Sequence, residues 1–213
     1  MSAPAGSTGG EAGPREAGTR ERLLLAAVEV IQKGGFAAAS VAAIADRAGV
    51  AAGTLYRHFP SKADLFVEVV RSISEREVVA MYLAAGRVTG FRERFEAVVA
   101  TYAGRALGNR PLAWALIYEP VDPLVDVERL VHRRKYSQYM ARLLREGVEV
   151  GSLPAQDTDL AAAAVVGVIG ETLVGPLSPI AHDTAPGQEI VAAIVGLCRR
   201  VVGLETPERG DRG

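Results

Sequence analysis

The sequence predicts an all-α fold in two parts, an N-terminal three-helix module followed by a larger helical domain. Three observations carry this. Apolar residues recur at helical spacing along most of the chain, no strand-like alternation or internal repeat interrupts them, and Gly and Pro fall where the apolar stripes end. Composition agrees: 213 residues, 49% hydrophobic but only 6% aromatic, describe an Ala/Val/Leu-rich chain long enough to bury one or two cores.

Each element follows in order. Residues 1–18 carry no bulky apolar side chain and are expected to be a disordered arm. Thr19 caps a first helix to Lys33, with Leu24, Val28 and Ile31 on one face; Gly34-Gly35 ends it and Phe36 returns to the core. Ser40 is an N-cap for a short helix whose Val41, Ile44, Ala45 and Ala48 form one stripe. Gly49 stands where a left-handed residue ends that helix. A second short helix spans about Ala51 to Phe59 and stops at Pro60, which disfavours helix at the residue before it. Ser61 caps a long helix that continues through Leu65, Phe66, Val69, Val70 and Ile73 towards Leu83. Further helices are expected over Phe91–Leu107, Leu112–Tyr118, Leu124–Glu149, from Asp157 or Thr158 to Val174, and over Gly187–Gly203, with a frayed tail from 206 to 213. The expected division is an arm at 1–18, the three-helix module at 19–65, a helical domain at 66–205 and the tail.

Helix, Gly-containing turn, helix is the layout of a helix-turn-helix DNA reader. At about 100° per residue, Leu55 and Phe59 share the inward face of the second short helix, while Gly53, Thr54 and Arg57 fall on the opposite side. A helix in the major groove needs that arrangement, with base-edge contacts on its floor and phosphate contacts on its flanks. Arg57 can fork to guanine, Thr54 can meet a base edge, and Gly53 is assigned to the same base-facing side. Ser40, Tyr56, His58 and Lys62 suit phosphate oxygens, as do the free N–H groups of the helix after Ser40.

The run Ser40–Leu65, SVAAIADRAGVAAGTLYRHFPSKADL, resembles the N-terminal signature of the tetracycline-repressor (TetR) family of bacterial transcriptional regulators. The shared positions are Ile44–Val50, Gly53–Phe59 and Ser61–Leu65, and the likeness covers about Thr19 to Val70. Ser40 stands where the family often has Thr, an equivalent cap; alanines at 51 and 52 offer only methyl contacts. The resemblance implies a homodimer on a pseudo-palindromic double-stranded DNA operator, a small-molecule effector held in the second domain, and a repressor released by that effector. It also implies that the helix from Ser61 connects the two domains mechanically.

Two helices are apolar over more than one stripe and are expected to form the dimer interface, through Leu160, Ala164 and Val168 on one and Ile190, Ile194, Leu197 and Val201 on the other. The implied effector cavity is assigned to Phe95, Tyr102, Trp114, Tyr118, Tyr136 and Met140, a set with few charges that favours a largely apolar ligand. The basic run His132–Lys135 is expected on a solvated helix face, or against an anionic group of the ligand.

Other classes find less in the sequence. His58, His132 and His182 show no metal-ligand spacing, Cys198 has no partner nearby, and no phosphate-cradling loop or nucleophile elbow occurs, so no metal, cofactor or catalytic role is expected. Glu119, Asp122 and Asp126 read as turn chemistry in a Pro-broken loop. A helical scaffold that binds neither DNA nor ligand is the alternative. One cysteine, no apolar run judged long enough to span a bilayer and no signal layout lead to a cytoplasmic expectation. Net charge is −1; between Arg15 and Arg71 eight basic residues face six acidic ones, which permits nucleic-acid binding without arguing for it.

Overall fold

The computed structural model describes residues 14–180 and 185–204, so the N-terminal arm before Pro14, His182 and the tail lie outside the described residues. The described part is helical throughout, in the order α1 (Pro14–Ala38), α2 (Val41–Ala48), α3 (Ala52–His58), α4 (Lys62–Ala85), α5 (Phe91–Gly108), α6 (Arg110–Ile117), α7 (Pro123–Glu149), α8 (Thr158–Leu177) and α9 (Gly187–Val201). Helix α1 begins before Thr19: Pro14 opens it, at a position where a missing N–H costs nothing. Its far end breaks at Gly34 and Gly35, the latter at φ 71°.

The caps behave as local chemistry requires. Ser40 accepts a hydrogen bond from the Ala43 N–H, and Gly49 (φ 67°, ψ 41°) returns its own N–H to the carbonyls of Ala45 and Asp46. Ser61 Oγ accepts from the Asp64 N–H at 3.1 Å and donates to the Asp64 carboxylate at 2.7 Å.

Two hydrophobic cores result. The first gathers Leu23, Ile31, Phe36, Ile44, Leu55, Phe59, Leu65, Phe66 and Val69, closed from the other side by Ala115 of α6 and Val125 of α7. The second joins α4, α5, α7, α8 and α9 around Phe95, Val98, Val99, Leu144, Val165, Leu173, Ile194 and Cys198. Helix α4 serves both: Leu65 through Ile73 sit in the first core, Met81 and Ala85 in the second. Where α5 and α7 cross, Gly147 leaves room for the Phe91 ring, which a Cβ there would approach to 2.5 Å.

Three expectations change. Glu119 is not turn chemistry: it accepts the backbone N–H groups of Phe36 (2.9 Å) and Ala37 (3.0 Å), clamping the α1 kink to the α6–α7 loop. A Cβ on Gly35 would meet that carboxylate at 2.5 Å, so the glycine makes room for the clamp. Helix α8 passes Val174 and includes Pro176. Proline forfeits one helical hydrogen bond there, and Gly175 before it has no Cβ to clash. Finally, α8 is long and apolar enough by length and composition to cross a membrane, with mean hydropathy 1.8. Only 28% of that stretch is fully buried within the protomer; most of the rest is half-buried, and Leu160, Ala163 and Ala164 lie exposed near its start.

Candidate nucleic-acid interface and internal cavity

Helix α3 is anchored by Leu55 (0% exposed) and by its C-cap Phe59, which drop into the first core. Its outer side presents Gly53 and Arg57 exposed, Thr54 half-buried, and Tyr56 as an exposed ring. His58 is half-buried on the flank, Ser40 is exposed at the start of α2, and Lys62 is exposed with its ammonium 5.3 Å from the Phe66 ring centre. The seven residues assigned to DNA therefore lie on α3 or at the ends of the helices beside it. The turn at Gly49 fixes how α2 and α3 meet, and so which side of α3 faces outward.

Behind this module lies a cavity of about 910 Å³ between α4, α5, α6, α7 and α8. Of the six residues assigned to it, Tyr102, Tyr118, Tyr136 and Met140 line it. Tyr102 meets Tyr136 edge-on at 5.5 Å. The Tyr118 hydroxyl donates to the Gly170 carbonyl, and the Tyr136 hydroxyl to that of Ser74 at 3.4 Å. Burial raises all three phenols, Tyr118 and Tyr136 to about 12, so each stays a neutral hydroxyl. Phe95 and Trp114 are not in the lining. Phe95 is fully buried against Phe91, and Trp114 packs behind Tyr118 at 5.2 Å between ring centres. Period alone could not separate a cavity wall from a core helix, because both are apolar.

The sequence reading missed the polar side of this cavity. Arg105 and Glu77 border it and pair with each other at 2.6 and 2.9 Å. Arg129 donates to the carbonyls of Leu116, Ala115 and Glu119 at 2.7–2.8 Å, satisfying the C-terminal end of α6. His132 corrects the expectation of a solvated basic face: it is 2% exposed and borders the cavity, whereas Arg133, Arg134 and Lys135 are exposed, Arg133 at the cavity's edge. Its Nε2 bonds Glu128 at 3.0 Å, and Arg71 forks onto both oxygens of that carboxylate at 3.0 and 3.1 Å. Arg71 holds Glu128 below the usual carboxylate range, while burial lowers His132. The imidazole is thus neutral and donates through Nε2–H, leaving Nδ1 a buried acceptor without a partner. The Glu128–His132 spacing of four was visible in the sequence; Arg71, far upstream, carried no local signal.

The assigned dimer residues divide. Leu160 (68% exposed), Ala164 and Val201 are open to solvent in the protomer, and Val168, Ile190 and Leu197 are half-buried. Ile194 is 3% exposed inside the protomer's own core, which removes it from any surface face. It falls on the inward side of α9 beside Cys198, one turn away.

Comparisons with known proteins point one way. Residues 23–69 match the model of "bacterial regulatory proteins, tetR family". The repressor KstR2 of Rhodococcus jostii is 31% identical over 169 residues, 74% of this chain and 77% of that protein. A fatty acid metabolism regulator of Bacillus subtilis is 25% identical across 71% of this chain and 80% of its own length. The Mycobacterium tuberculosis repressor KstR is 39% identical over 94 residues, and there the match spans only 42% of the relative. Among solved structures, the fatty acid degradation regulator FadR of Bacillus halodurans superposes at a TM-score of 0.74 with 24% identity, covering 89% of this chain and 96% of its own. FadR of B. subtilis, solved with stearoyl-CoA, superposes at 0.70 with 22% identity over 87% and 99%. These relatives are regulators rather than enzymes. With an outward-facing α3 on a Gly49 turn and a match to a repressor over about three quarters of both chains, the chain belongs to the TetR family of bacterial regulatory proteins, DNA-binding regulators of transcription.

Proposed function

We propose that this chain acts as a cytoplasmic homodimeric repressor that leaves a pseudo-palindromic operator when a largely apolar small molecule fills the cavity behind the DNA-reading module. The observation that carries the reading is the cavity's position. Its wall includes Val28, Val70 and Ile73, which belong to or pack on the core that supports α3. Filling it can therefore bear on the reading helix directly. Gly53, Thr54 and Arg57 are assigned to base edges; Ser40, Tyr56, His58 and Lys62 are assigned to phosphates. The reading module is drawn at 19–65, with α4 as its link to the effector domain.

Dimerisation is assigned to the outer faces of α8 and α9, through Leu160, Ala164, Val168, Ile190, Leu197 and Val201. The exposed Leu160, Ala163 and Ala164 beside half-buried Val168 on α8 support a second copy there, and two reading helices about 34 Å apart, or a multiple, then meet successive half-sites. Long acyl chains are the first effector class to try. The cavity is mostly apolar, and one relative is named for fatty acid metabolism. Thermal-shift titration with stearoyl-CoA and hexadecanoate, paired with fluorescence-anisotropy release of a bound duplex, tests the reading. An effector raises the melting temperature and weakens DNA binding together. A ligand that stabilises the protein and leaves DNA affinity unchanged refutes effector release.

A further inference from the structure

A continuous line of polar contacts leads from the cavity wall to the end of the reading helix. His132, on α7, bonds Glu128 at 3.0 Å. Glu128 takes the two-pronged fork of Arg71, on α4, at 3.0 and 3.1 Å. Arg71 also pairs with Glu68 one turn back, and Glu68 reaches Arg20 of α1 at 3.0 Å. The Arg20 guanidinium then lies 4.9 Å over the ring of Phe59, the residue that terminates α3. The line therefore crosses α7, α4 and α1.

Its two ends differ in burial. Glu128 and His132 have side chains 11% and 2% exposed, while Arg71 and Arg20 are 41% and 44% exposed. At the buried end an unpaired or displaced charge is costly, so the carboxylate cannot drop one partner without taking another. At the exposed end the contacts are weak individually and can rearrange. His132 is held from one side only, since its Nδ1 has no partner. The imidazole also neighbours Tyr136, a cavity-lining ring, at 6.5 Å between centres.

Resting on the effector reading above, we propose that His132, Glu128, Arg71, Glu68 and Arg20 form the coupling element through which occupancy of the cavity is registered at Phe59 and hence at α3. Glu128 is its positioning residue: it is shared between the cavity-side imidazole and the α4 guanidinium. A ligand that shifts Tyr136 or gives Nδ1 a donor moves the carboxylate, and Arg71 must follow.

The test reads DNA affinity and needs no identified effector. A duplex is first selected from a random pool by the unaltered protein. Anisotropy then gives its Kd for Glu128→Gln, His132→Phe, Arg20→Gln and the double variants that combine Arg20→Gln with each of the other two. Glu146→Gln, which breaks the exposed Arg94–Glu146 pair, is the control. Glu128→Gln and His132→Phe each weaken DNA binding by about five-fold or more, the lower range of site-to-site coupling, although both lie away from α3. Each double variant is no weaker than its weaker single variant, because links of one chain are not independent. Should His132→Phe fail to fold, Glu128→Gln decides alone. A lowered melting temperature with unchanged Kd, or fold-changes that multiply in the doubles, makes the network a structural clamp and overturns the proposal. An unaltered protein that selects no duplex would bring down the DNA-reading function itself, and the coupling with it.

Discussion

Gly53→Ala separates stability from DNA binding at one atom. Gly53 is the second residue of α3, is not among the positive-φ glycines, and a Cβ built on it meets nothing within 4 Å. No clash and no backbone strain oppose alanine there. Glycine within a helix costs about 0.5–1 kcal/mol relative to alanine, mostly in backbone entropy, so the variant gains that amount. For a chain of this size each kcal/mol moves the melting temperature by roughly 2–4 °C, giving a rise of about 1–4 °C by differential scanning calorimetry. The same methyl occupies the space a base edge or phosphate needs if this side of α3 enters the groove. One lost base-edge contact is worth about 1–3 kcal/mol, so DNA affinity falls by about five-fold to 150-fold. A stabilised protein that binds its selected duplex with unaltered Kd would refute the orientation assigned to α3. A lowered melting temperature would instead refute the helical setting of Gly53.

Other expectations follow from specific contacts. Gly49→Ala places a Cβ at φ 67° in open space, so its cost is backbone strain alone, about 1–2 kcal/mol by denaturant titration, with Asn at that position costing less. Gly147→Ala drives a methyl against the Phe91 ring and overpacks the α5–α7 crossing, costing about 1–3 kcal/mol while leaving α3 untouched. Arg57→Ala and Lys62→Ala lose DNA affinity with melting temperatures near the unaltered value, since both side chains are exposed; retained affinity in both counts against the docking assigned here. His132 titrates below its unfolded value, so from about pH 6.5 downward the unfolded chain takes up a proton that the native chain refuses, and stability falls with acid. Glu128, also lowered, adds stability above the usual carboxylate range that is lost as pH drops through its folded value. His132→Phe should flatten the first region of a stability–pH curve and Glu128→Gln the second. Cys198, buried and with its thiol pushed up to about 12, should resist a thiol reagent until the chain unfolds.

What the sequence determined by itself was whatever depends on neighbours a few residues apart. Ser40 and Ser61 cap, Gly49 turns left-handed, Pro60 stops α3, and Leu55 with Phe59 picks its inward face; each is a local contest between side chain and backbone. The helical order and the family signature were legible for the same reason. Tertiary structure decided what depends on which apolar faces meet. Phe95 and Tyr102 lie two turns apart on one helix, yet one fills the core and the other lines the cavity, because only the packing of α7 and α8 leaves space beside the second. Ile194 looked like a surface anchor until the other helices covered it. Glu119 and Arg71 found partners 83 and 57 residues away, at the α1 kink and on α7, and no local pattern announces a charge whose use is long-range. Burial, unlike capping, is a property of the whole fold, and the cavity and its polar line to α3 exist only at that level.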